Sequence, residues 1–160
     1  MMKLAYYLVG LVLLSVNAQA DGVDVWDQLL PENERQMSMP EVDHNAPMNE
    51  AGQQNLNVSV NQDLDGTPIR IPGFIVPLDS EGELVTEFLL VPYFGACLHY
   101  PPPPPNQIVY VTYKQGLQLE DLWEPIWVEG TIHTQIQDVE GVATVGYSIT
   151  EPKSIVLYTD

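Results

Sequence analysis

Five consecutive prolines, Pro101 to Pro105, constrain this chain more than any other feature. Each presets φ and removes a backbone N–H, so the run is excluded from a helix interior and from a central strand. It reads as a stiff left-handed polyproline rod. On both sides of it, from Thr67 onward, the sequence shows short β-rich runs broken by Pro, Gly and acidic turns, the spacing of a small all-β domain over residues 67–160. Strands are expected at Ile69 to Leu78, Leu84 to Pro92, Ile108 to Tyr113 and Ile126 to Thr134, and at Ala143 to Thr150 with Ser154 to Tyr158 as a fifth strand or a broken pair. A hairpin turn falls at Asp79-Ser80-Glu81-Gly82. Leu117 to Trp123 reads as a helical turn or loop. Pro72, Pro77 and Pro92 mark edges or bulges. Closing five short strands into a small OB-like barrel removes exposed edges, which favours that arrangement over an open sandwich.

The rest of the chain is of another kind. Lys3, the apolar run Leu4 to Val16 and the small-residue pattern Ala18-Gln19-Ala20 make residues 1–20 a signal peptide cleaved after Ala20. The run is short for a bilayer span, so no membrane span is expected in the mature chain. Residues 21–66 carry ten acids against Arg35 alone, with scattered apolar residues, which is the composition of a flexible acidic arm. Its one anchor-like piece is residues 25–31, Val25-Trp26-Asp27-Gln28-Leu29-Leu30-Pro31, able to dock as one helical turn or to meet a partner. The full chain carries 22 acidic and five basic residues, a formal charge of -17. Phosphate neutralisation needs Lys/Arg clusters, so nucleic acid is excluded as a partner, and anionic membrane surfaces are disfavoured. The expected location is the periplasm or outside the cell.

A single cysteine, Cys97, excludes an internal disulfide and every multi-cysteine metal framework. In an oxidising compartment a free thiol is buried, metal-bound, chemically used or tolerated. Cys97-x-His99 places thiol and imidazole two apart, on one side of an extended backbone, with the proline rod behind them. Such a pair suits zinc or copper(I), though it supplies only two ligands of a tetrahedral site. Two other roles stay open. Cys97 can be a small buried hydrophobe with His99 bonded to a carbonyl, or the pair can act as nucleophile and base. Residues two apart rarely make the in-line thiol–imidazole contact that activation requires, and no orienting Asp follows, so the residues speak against an enzyme. Tyr93, Phe94 and Tyr100 offer flat apolar walls for a bound group, and Asn106 and Gln107 add amides beyond the prolines.

The phrase Gly95-Ala96-Cys97-Leu98-His99-Tyr100, followed by the five prolines and Asn106-Gln107-Ile108-Val109, resembles the hallmark of a family of exported bacterial proteins, domain of unknown function 3299. Ile71-Pro72-Gly73-Phe74-Ile75-Val76-Pro77-Leu78, Ile126-Trp127-Val128-Glu129-Gly130 and Trp26-Asp27-Gln28-Leu29-Leu30-Pro31 also look like family blocks. The resemblance carries Cys97, His99 and Asn106 over as site candidates. It implies an accessory role in envelope transport or metal handling, with an ABC-type transporter or a periplasmic protein as partner. A polyproline loop that docks on such a partner without catalysis is the alternative.

The remaining motifs are weaker. Alternation along Ile126 to His133 puts His133 on the polar face with Trp127, Glu129 and Thr131, which makes it a surface histidine. Met37, Met39, His44 and Met48 could capture copper(I), but without a repeat they read as a chance cluster in the arm. Asn61-Gln62-Asp63-Leu64-Asp65-Gly66 opens like a calcium loop yet has Pro72 where a bidentate Glu is needed, so it reads as an Asp/Gly turn.

Overall fold

The computed structural model describes residues 22–35, 54–96, 102–118, 123–139 and 141–158. The signal-peptide reading of residues 1–20, the Met/His cluster and the residues Cys97, His99 and Tyr100 lie outside them. A short helix α1 (Gly22–Gln28) precedes six strands, β1 (Thr67–Glu81), β2 (Leu84–Val91), β3 (Val109–Gln118), β4 (Ile126–Val139), β5 (Ala143–Thr150) and β6 (Ser154–Leu157).

The strands lie in the order β1-β2-β3-β5-β4-β6, and an added β1–β4 pairing closes a ring through five of them. All pairs are antiparallel except β3–β5, which is parallel. The result is the OB-like, barrel-like arrangement that the sequence pattern implies. β1 makes closure possible by serving two partners. Residues Thr67 to Gly73 pair with β4, and Phe74 to Glu81 pair with β2. The switch falls at Gly73, where a Cβ would sit 2.7 Å from the Val91 carbonyl oxygen, so only glycine lets the two strands cross this closely.

The prolines fall where their missing donors do least harm. Pro77 begins the register shifts of the β1–β2 ladder, Pro72 adjoins the β1 switch, and Pro92 follows the end of β2. β1 and β2 meet in a two-residue turn at Gly82 and Glu83, with Gly82 at φ 66°. The turn therefore lies slightly beyond the expected Asp79 to Gly82. Leu117 to Trp123 differs more. Leu117 and Gln118 are strand, pairing with Val85 and Leu84, because the chain bulges after Thr112, turns at Gly116 with φ 71°, and rejoins β2. Trp123 and Glu124 lie in a turn, and residues 119–122 are outside the described set. The last β segment is two strands, and β6 pairs with β4 outside the ring.

Alternating side chains sort into two cores. Phe88 and Leu90 of β2, Val109 and Val111 of β3, Ile126, Val128 and Ile132 of β4, and Tyr147 and Ile149 of β5 fill one cluster. Leu89 and Val91 point the other way and pack with Val76, Ala96, Ile108, Ala143 and Val145. The second cluster exists because Ala96 and Ile108, at the two ends of the proline-containing loop, press onto the sheet. His133 lies on the exposed face as its alternation requires, its Nδ1 3.4 Å from Asp65 Oδ1. The backbone N–H of Thr134 holds the Asp65 carboxyl below its ordinary value.

The acidic segment is held against this body at several points. Trp26 and Leu29 are buried in the first core. The Trp26 indole donates to the Pro72 carbonyl at 2.7 Å, an acceptor beside the β1 switch. Residues 54–66, which composition assigns to a flexible segment, cross the body as a strap ending in a 3-10 turn at Gln62–Leu64. Specific hydrogen bonds hold them, and Val60 and Leu64 pack half-buried against the first core. Among the described residues no helix is long and apolar enough to cross a membrane.

Candidate functional site

The loop from Pro92 to Ile108 connects β2 to β3, and its two flanks are fixed in different ways. On the β2 side, Tyr93 is exposed, Gly95 turns at φ 80° and Ala96 is fully buried. Phe94 meets Phe74 of β1 edge-on, with centroids 5.9 Å apart, and lies 4.4 Å from the ring of Trp123. Residues 97–101, which hold the candidates Cys97, His99 and Tyr100, follow outside the described set.

On the β3 side the proline run is packed. Pro103 and Pro105 are buried, while Pro102 and Pro104 between them are half-buried. The prolines have no donors, yet their carbonyls still accept hydrogen bonds. The Gln54 amide donates to the Pro103 carbonyl at 2.7 Å and to the Thr144 carbonyl at 2.7 Å, and accepts from the Thr144 N–H at 2.8 Å. One side chain thus ties the proline run to β5. The run ends in a 3-10 turn, Pro105–Gln107, whose Pro105 carbonyl passes over Gly146. A Cβ at Gly146 would lie 2.6 Å from that oxygen, so the turn seats only over a glycine.

Asn106 and Gln107, candidates for binding a group from outside, are both buried. Asn106 Nδ2 donates to Glu34 Oε2 at 2.9 Å and to the Ser59 carbonyl at 3.0 Å. Its Oδ1 is buried without a hydrogen-bond partner. Gln107 Nε2 donates to the Trp26 carbonyl at 3.0 Å. Beside them the Tyr147 hydroxyl donates to the Leu29 carbonyl and accepts from the Asn61 N–H at 2.6 Å. Burial pushes that phenol up to about 12. These contacts make the turn after the prolines one of the places where arm and barrel are joined. Sequence reasoning missed the partners Glu34, Gln54 and Ser59, since isolated polar residues in an acidic stretch carry no periodic signal.

Among the described residues no group of three or more His, Cys, Asp or Glu converges on a common point. The nearest approach to reactive chemistry elsewhere is Tyr110, whose hydroxyl donates to Glu87 and is pushed up to about 12 by burial and by that carboxylate.

This loop-and-barrel arrangement carries a family signature. A family model described as protein of unknown function, DUF3299, matches residues 26–155. The chain belongs to the DUF3299 family. The DUF3299 match begins at Trp26, so the docked part of the arm lies inside the family's span. The chain is also similar to the crystal structure of a DUF3299 family protein from Pseudomonas aeruginosa PAO1, with 42% sequence identity and a TM-score of 0.69. That likeness covers 84% of this chain and 94% of the other. No curated protein matches the DUF3299 chain.

Proposed function

We propose that this DUF3299 protein is an exported, non-catalytic accessory protein that handles zinc or copper(I) through Cys97 and His99, alongside an envelope transport system. The observation that carries the reading is the bracing of the loop. Ala96 on one flank and Pro103, Pro105, Asn106 and Gln107 on the other are buried in the fold. A short segment fixed at both ends loses little entropy when its side chains close on an ion. With Asn106 and Gln107 engaged by the arm, the thiol and imidazole are the metal-binding groups left in the loop. Alternate prolines facing inward also leave less of the run to a partner than a free polyproline ligand would offer, which weighs against docking through the prolines. A metal ion would require Cys97 as thiolate and His99 as neutral imidazole, with its further ligands supplied by other residues or by a partner.

Metal analysis of the mature protein purified from the periplasm tests this. Wild type should carry near-stoichiometric zinc or copper, lost in Cys97→Ser and in His99→Ala. Protein that emerges metal-free and takes up neither ion would overturn the metal reading. Rapid alkylation of a low-pKa thiol in metal-free protein would point to a thiol enzyme instead.

A further inference from the structure

Among the described residues β6 pairs with β4 alone and lies outside the ring, so its far edge meets no strand. Its last residues are apolar and open to solvent, Val156 at 50%, Leu157 at 54% and Tyr158 at 37%. The Tyr158 N–H is bonded to the Pro125 carbonyl, just before β4. Alternation along the antiparallel ladder then turns the N–H and C=O of Ser154, Val156 and Tyr158 toward β4 and those of Ile155 and Leu157 outward. Ser154 to Tyr158 carry neither charge nor proline, two of the devices that blunt such an edge. The strand is short, but it is open to pairing.

The two ends of the strand differ in charge. From residue 21 onward the basic residues are Arg35, Arg70, Lys114 and Lys153. All but Arg35 lie about the start of β6. Lys153 precedes the strand and pairs with Glu129 at 2.6 Å, Arg70 stands opposite Glu129 in the β1–β4 register, and the Lys114 N–H is bonded to the Glu151 carboxylate. Beside the other end is Glu124, exposed and adjacent to Pro125. In a chain of charge -17 the start of β6 is thus a place where an acidic surface is little repelled. A second copy laid antiparallel along this edge sets the Lys153 end of each chain toward the Glu124 end of the other. A parallel copy would set like ends together.

We infer that β6 is a self-association edge, pairing antiparallel with β6 of a second copy about a two-fold axis at Val156. A two-fold axis normal to the sheet requires one residue to face its own copy. With Val156 there, Ile155 stands opposite Leu157 of the second copy and Ser154 opposite Tyr158, so every residue from Ser154 to Tyr158 is paired. The outward N–H and C=O of Ile155 meet those of the second Leu157, and the reverse, which gives each outward donor an acceptor. Val156 faces itself as a pair without hydrogen bonds, where side chains come closest. The pairing draws on none of the residues of the proposed metal site.

Sedimentation equilibrium of the full mature protein, from micromolar to millimolar concentration, tests the inference. A reversible equilibrium between monomer and dimer is expected. Leu157→Pro removes an outward N–H without touching the β4 ladder and should weaken dimerisation about tenfold, with circular dichroism unchanged. Val156→Lys, which sets like charges face to face at the axis, should weaken it too. In a Cys97→Ser background, Val156→Cys should yield a disulfide-linked dimer on mild oxidation, while Ser154→Cys, opposite Tyr158, should not. A monomer at every concentration overturns the inference. So does a dimer indifferent to both Leu157→Pro and Val156→Lys, or a crosslink at Ser154 as efficient as that at Val156.

Discussion

The described parts of the arm, residues 22–35 and 54–66, and the ring of strands both hold fixed places, but by different means. In the ring, order is distributed. Each strand contributes alternating buried side chains and a ladder of backbone bonds, so no single residue decides whether a strand is present. In the arm, order is concentrated in a few anchors. Trp26 and Leu29 are the buried apolar anchors, with Val25, Val60 and Leu64 packed half-buried beside them, and the Gln54, Ser59 and Asn61 contacts with the proline run, Asn106 and Tyr147 add hydrogen bonds. A segment held this way can carry high negative charge and little apolar surface and still occupy a fixed place. Its stability is expected to be separable from that of the body, which loss of a single anchor tests.

The sharpest way to break this contrast is Trp26→Ala. It removes a buried indole and its bond to the Pro72 carbonyl, and should cost about 3–5 kcal/mol in urea unfolding. Native-state hydrogen exchange should show the loss concentrated at residues 25–35 and 54–61. Uniform loss across the ring strands would show that the arm is not a separable unit.

Tyr147→Phe is the next largest perturbation. It leaves the Leu29 carbonyl and Asn61 N–H without their shared partner, and should cost about 1–3 kcal/mol. The same residue predicts a pH dependence. With folded values raised to about 12 from an ordinary 10, Tyr147 and Tyr110 stay protonated in the native state while the unfolded chain releases those protons. Their stabilisation is complete below pH 10 and is lost as pH rises from 10 to 12. Thermal melts across that window should fall more steeply for wild type than for Tyr147→Phe.

Gln54→Ala removes one side chain that bonds both β5 and the proline run. It should cost about 1 kcal/mol and speed exchange of the Thr144 amide, which then lacks its acceptor. At the small end, Trp123→Ala should alter stability by no more than about 0.5 kcal/mol, because the ring is mostly in solvent. A larger loss would mean that the contact of Trp123 with Phe94 is part of the core.

The ring was legible in the sequence because its signals are local. Ile126, Val128 and Ile132 alternate with Trp127, Glu129 and His133, and the structure places the two sets on opposite faces. The extension of β3 to Gln118 was not legible, since it depends on a bulge between Thr112 and Leu117 that only the partner strand β2 imposes. Asn106 and Gln107 stood out through the family phrase, but their role as a brace did not. Their partners Glu34, Ser59 and Trp26 lie 72, 47 and 81 positions away, and nothing in the residues between them encodes the meeting.

The bond from Tyr147 to Leu29 spans 118 positions of the chain. Synthesis runs from the N-terminus, so Leu29 is made long before Tyr147 exists to receive it. The Tyr147 clasp therefore cannot form before β5 is made, whereas the Trp26 bond to Pro72 needs only β1. Because β5 pairs with both β3 and β4, the clasp links the N-terminal helix to the strand that joins those two.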